Sequence, residues 1–159
     1  MTLDNWLLAL HLLAAATLVA AMVMFSVLIV AARRVERPPQ VLALAPLMRI
    51  GSVAVVAGSL GVVVFGVWLA IALDAYQVWD GWVIAAIILW AIGSETGRRS
   101  GPEYAKLFDR AKELHADGQT GPSAELKILG QTHRGALLHA ASSLAVVLLL
   151  IDMIWKPGA

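Results

Sequence analysis

Five ionisable side chains stand in or beside stretches that are otherwise apolar: His11, Arg49, Glu95, His139 and Asp152. Charged or titratable groups at membrane depth are costly, so each is a functional candidate. A neutral imidazole nitrogen can ligate haem iron or copper. His11 is the first candidate for that role, as a metal ligand. It lies five residues past Trp6, about 7–8 Å below the boundary on that side at ~1.5 Å rise per residue. Near the far end of the last apolar stretch, Asp152 and Met153 fall at the same depth, which would place the ligands of a His/Met haem b or copper site together there. His139 is a fourth candidate for cofactor binding. It lies five residues past Arg134, close to the opposite boundary. The two histidines are roughly 15 Å apart in depth, so they are not expected to share one haem iron. His133 and His139 point about 240° apart around a helix and do not chelate together. The structural alternative for each histidine is a hydrogen bond to a neighbouring helix. For Asp152 it is a helix-stopping residue at the interface.

Other chemistry finds no footing. With no cysteine in the chain, disulfides, thiolate metal sites and thiol nucleophiles are excluded. No Gly-rich phosphate loop or zinc-protease helix motif occurs, and Ser, His and Asp scatter across depths. The reading is of a non-enzyme, and a net charge of +1 gives no sign of nucleic-acid binding.

The elements that must position these residues are membrane spans. The chain has 159 residues, 60% hydrophobic and 14% charged, whereas soluble domains carry roughly 25% charged residues. Crossing the hydrocarbon core takes about 20 mostly apolar residues in a helix. Spans are expected at 6–32, 47–73, 78–97 and 134–155, the third being the weakest, with Asp80 as its cap. Of the 12 Lys and Arg residues, all but Lys156 fall in the first and third connections. The positive-inside rule makes those connections cytoplasmic and puts both termini outside the cell membrane. Trp6, Tyr76, Trp79, Trp82 and Trp155 form an aromatic belt at the outer ends, while Trp68 and Trp90 lie deeper and are expected to pack. The fold class is therefore an all-α integral membrane four-helix bundle in one domain.

Within the third connection, Tyr104, Leu107, Phe108, Ala111 and Leu114 recur at helical spacing. An amphipathic cytoplasmic helix is expected over 102–118, on the membrane surface or against the bundle. Residues 123–130 are expected to start the last helix early. Close helix packing in lipid relies on small residues. Gly51, Ala54, Gly58 and Gly61 form such a seam in the second span, with Gly66 off it, and Ala136, Ala140, Ser143 and Val147 in the fourth.

The first span reads Leu10-His11-Leu12-Leu13-Ala14-Ala15, and the fourth runs out through Asp152-Met153-Ile154-Trp155-Lys156-Pro157-Gly158, with a basic loop and a charged helical insert between. In this the chain resembles a bacterial family of predicted four-helix integral membrane proteins of unassigned function. It is more remotely similar to the copper-resistance CopD proteins and to HemJ-type protoporphyrinogen oxidases, which also place a histidine early in the first span. The resemblance implies haem or copper handling, with His11 the one matching position. The Trp-x-Gly pattern of CopD is absent, Ala16-Thr17-Leu18-Val19-Ala20 standing there instead. Beside the haem or copper reading stand two others. One is a scaffold or accessory subunit whose glycine seam and amphipathic helix bind partner helices or a second copy. The other is a small transport protein for a lipid or apolar substrate.

Overall fold

The computed structural model describes residues 3–72, 77 and 79–157, and the described residues are helices and their connections, with no strand. The order is α1 (Leu3–Ala32), α2 (Pro38–Ala72), α3 (Gly81–Ala116), α4 (Ala124–Gly130) and α5 (His133–Trp155). Three helical stretches are long and apolar enough to cross a membrane: α1, α2 and Ala124–Trp155, which holds α4 and α5. By hydropathy α3 does not qualify, because its apolar run, Trp82 to Gly93, gives way to Glu95, Arg98 and Arg99. It nevertheless exposes Ile84, Ile87, Ile88 and Ile92, as α2 exposes Ile50, Val53, Leu60 and Val64.

Boundaries depart from the sequence expectation in three places. Helix α2 begins at Pro38 instead of 47 and continues through Pro46. The pair Pro38-Pro39 suits a first turn, where the missing N–H has no helical partner to lose. Next, the third span and the cytoplasmic helix are one element, since α3 runs unbroken through Pro102 to Ala116. It stops where Gly118 adopts φ +80° and the amides of Gly118 and Gln119 bond back to the carbonyls of His115 and Leu114. Such a left-handed residue after a helix is cheap for glycine. Finally, α4 does not merge into α5. Gln131 and Thr132 intervene, and the Thr132 hydroxyl accepts from the Gly135 amide as an N-cap. Asp80 precedes α3 as expected, although its carboxylate accepts from the Gln77 amide and not from the helix.

The helices pack as two antiparallel pairs, α1 with α2 and α3 with α5; α2 touches α3 less and α1 barely touches α5. The glycine seam of α2 lies inside the first pair. A Cβ on Gly58 would come within 2.7 Å of the Leu18 amide nitrogen, and one on Gly61 within 2.7 Å of the Ala14 Cβ. Gly66 joins the same face, 3.0 Å from the His11 ring by the same construction. In α5 the buried stripe is Gly135, Ser142, Ala145, Leu149 and Asp152. That corrects the expected seam of Ala136, Ala140, Ser143 and Val147, of which Ala140 and Val147 are exposed. Small residues occur on several faces of this helix. What selects the buried face is hydrogen bonding: Ser142 Oγ donates to the Gly93 carbonyl at 2.8 Å and Ser100 Oγ to the Gly135 carbonyl at 3.3 Å.

Of the aromatic belt, Trp6, Trp79 and Trp155 are exposed, Trp82 is buried, and Tyr76 lies outside the described residues. Trp68 also faces outward, against the expectation that it packs, because the narrow glycine face of α2 is already taken by α1. At the basic end of the molecule, Leu107, Ala111 and Leu114 of α3 enclose a small core with Val41, Ala32 and Leu126. The amphipathic part of α3 therefore packs against the bundle. Lys127–Glu36 and Arg110–Glu125 ion pairs ring this core, and the Ser123 amide donates to the Glu36 carbonyl.

Candidate functional site

Between the two helix pairs lies a partly open cavity of about 660 Å³. Sites for small ligands span roughly 300–1,000 Å³ and are mostly apolar with a few placed polar groups. Leu18 and Met22 of α1, Val55 and Leu60 of α2, and Leu89 and Leu149 of α3 and α5 form much of its wall. The cavity exists because small residues bring each pair together while little draws the pairs towards one another.

Among the described residues, two side-chain hydrogen bonds are seen between the pairs. Trp90 Nε1 donates to Ser59 Oγ at 2.9 Å, and His139 Nε2 lies 2.9 Å from Ser26 Oγ. The Ser26 hydroxyl is also within hydrogen-bond distance of the Met22 carbonyl, and donation there makes its oxygen the acceptor for the tautomer of His139 protonated on Nε2. The Ser143 hydroxyl, which donates to the His139 carbonyl, lies 3.5 Å from the same nitrogen. His139 Nδ1 is then an acceptor with no hydrogen bond among the described residues. Trp90, Ser59 and His139 all line the cavity.

The antiparallel registers fix the polarity of the space. Gly93 lies against Ser142 and Ser100 against Gly135, so His139 is level with the turn around Gly97 and Arg98. Ser94, Arg98, Tyr104 and His139 border this end, while the opposite end is bounded by Leu18, Leu60, Leu89 and Leu149. Arg98 contacts Glu95 through two bonds, 2.8 and 2.9 Å, and Arg99 contacts the same carboxylate at 2.6 Å.

Tyr104 is 4% exposed and its hydroxyl has no hydrogen-bond partner among the described residues. Burial pushes this phenol above its ordinary value, opposed in part by the charge of Arg33. In the ring of charges around the small core, hydrogen bonds to Glu113 and Glu125 raise Arg110, and the Glu36 carboxylate raises Lys127.

Of the residues singled out in the sequence, His139 is at the cavity, and His11, Asp152 and Met153 do not line it. The His11 ring lies on Gly66 of α2, its Nδ1 3.1 Å from the Val62 carbonyl. A carbonyl can only accept, so Nδ1 carries the proton and Nε2 is left bare. Asp152 belongs to the buried stripe of α5, and its Oδ2 has no hydrogen-bond partner among the described residues. Met153 is half-buried beside it. No hydrogen bond links His11 to Asp152 or to His139, and no group of three or more His, Asp or Glu that could hold a metal ion occurs among the described residues. Arg49 is exposed, as a side chain reaching the polar end of its helix would be. His115 is exposed on α3.

Sequence reasoning missed the pairing of Ser59 with Trp90 and the part played by Ser26. A signal was present: a serine and a tryptophan, each mid-helix in an apolar run, need partners that lipid cannot supply. Comparison with protein-family models, with curated proteins and with solved structures finds no match.

Proposed function

We propose that this is a four-crossing integral membrane protein of the cell membrane that admits an apolar chain from the bilayer into the cavity between its helix pairs. Its basic end is cytoplasmic and both termini are outside. The observation that carries the reading is the cavity itself: about 660 Å³, apolar-walled, partly open, and level with the apolar outer faces of the helices. Three helical stretches long and apolar enough to span, and α3 packed along α5, support the four crossings. The lysine and arginine distribution supports the orientation. This is a lipid-binding or lipid-transport role, of the small transport class.

The test is photo-crosslinking in membranes with a phospholipid bearing a diazirine on its acyl chain. Crosslinks are expected at Leu60, Leu89 and Val146, and Gly101→Leu is expected to reduce them several-fold. Gly101 borders the cavity, and a Cβ there meets nothing within 4 Å, so this variant fills space without displacing backbone. Crosslinks spread evenly over the outward faces and indifferent to Gly101→Leu would refute the reading.

A second reading, haem or copper at His11, is favoured by one observation. The Nδ1–H bond to the Val62 carbonyl fixes the tautomer that leaves Nε2 free, as a ligating histidine requires. No hydrogen bond ties Asp152 or Met153 to it, so among the described residues His11 is the one ligand candidate at that spot. Purified protein from haem- and copper-replete cells would show a Soret band or bound copper that disappears in His11→Ala. A colourless, copper-free preparation ends this reading.

A further inference from the structure

We infer that the occupant of the cavity is an anionic lipid, its headgroup at the Arg98–His139 end and one acyl chain running between the pairs towards Leu149. This rests on the reading that the cavity admits a chain from the bilayer, and it adds the sign of the headgroup and the direction of entry.

Three observations bear on it. The ionisable side chains of the wall, Arg98, Tyr104 and His139, lie at one end only, and that end is level with the point where α3 changes from isoleucines to charged residues, the depth of a headgroup. The charge there is positive. Glu95 is the one carboxylate beside Arg98 and Arg99 and is shared between them, which leaves one cation uncompensated. A phosphate oxygen on the free edge of the Arg98 guanidinium would make a charge-assisted hydrogen bond. His139 Nδ1 at the same level offers an acceptor to a headgroup hydroxyl. At the apolar end no charged side chain lines the wall, so the lipid cannot enter the other way round without stranding its phosphate. An uncharged apolar ligand would leave the cationic end without a counterpart.

Trp90 supplies a reporter, since it lines the cavity. The full-length protein is placed in vesicles of neutral lipid with increasing fractions of brominated phosphatidylglycerol or brominated phosphatidylcholine. Tryptophan quenching is followed, and Trp90→Phe identifies the Trp90 component. The anionic lipid is expected to saturate that component at about a tenfold lower mole fraction than the zwitterionic one. Arg98→Gln is expected to bring the two curves together. Equal curves in the native protein would overturn recognition of the anion while leaving the cavity reading intact. A preference that survives Arg98→Gln would overturn the assignment of the headgroup to this end. If Trp90→Phe removes no saturable component with either lipid, the cavity admits no chain and both readings fall.

Discussion

The two helix pairs are built from the same kind of residue and held by different forces. In α1–α2 the contact is steric: glycines let one backbone lie directly on another, and the His11–Val62 bond is the polar link described across it. In α3–α5 the serines contribute as much as the glycines, each turning a hydroxyl onto a carbonyl of the facing helix. Between the pairs neither device is seen among the described residues, and side-chain hydrogen bonds such as Ser26–His139 and Trp90–Ser59 do the joining. Lipid supplies little hydrophobic drive for helices to associate, so cohesion follows shape and hydrogen bonds. Where both run out, a cavity is left.

The steepest way to break this contrast is Gly58→Leu. With the Leu18 amide 2.7 Å from the new Cβ, the two backbones must separate, at a cost of about 3 kcal/mol or more. The effect should be read as loss of the folded monomer in a detergent unfolding titration. Dissociation of an oligomer with the monomer intact would mean that the seam serves a partner instead of α1. Next comes Ser142→Ala, which removes the hydroxyl bond to Gly93 and is expected to destabilise by about 1 kcal/mol in the same titration. Ser26→Ala, at the looser junction, should cost less, about 0.5 kcal/mol. Equal losses would erase the distinction between pair and junction.

The smallest effect is one of opposite sign. Tyr104→Phe removes a buried hydroxyl that has no hydrogen-bond partner among the described residues, and should leave stability unchanged or raise it by up to about 1 kcal/mol. Its pH dependence is specific. Because burial raises the folded phenol above its unfolded value, the stability it confers is complete below the ordinary tyrosine range and declines as pH rises through the folded value. Native protein should therefore lose stability on entering the alkaline range more steeply than Tyr104→Phe. Parallel curves would show that the phenol titrates normally.

The seam of α2 was legible in the sequence because glycines at helical spacing leave few other uses for that face. Composition does not distinguish the faces of α5, where alanine and serine surround the helix, so the seam was read one position out of register. The continuity of α3 was hidden by Pro102 and by the change from apolar to charged residues, which resembles a boundary though the helix continues. His139 and His11 were recognised as unusual from depth alone. Their partners, Ser26 and the Val62 carbonyl, come from other helices and leave no local trace. The cavity is a product of pairing, visible only once four helices are in register.

The short apolar run of α3 has a consequence for how the protein is made. On the proposed topology, a stretch from Trp82 to Gly93 falls short of the roughly 20 residues a helix needs to hold itself in the hydrocarbon core. Its small-residue face and its serine bonds are completed by α5, which leaves the ribosome later. Stable integration of α3 would then wait for α5, and the second pair would enter the membrane as a hairpin. A nascent chain released before residue 133 would carry only two firmly anchored helices, α1 and α2, which are in contact along their own seam.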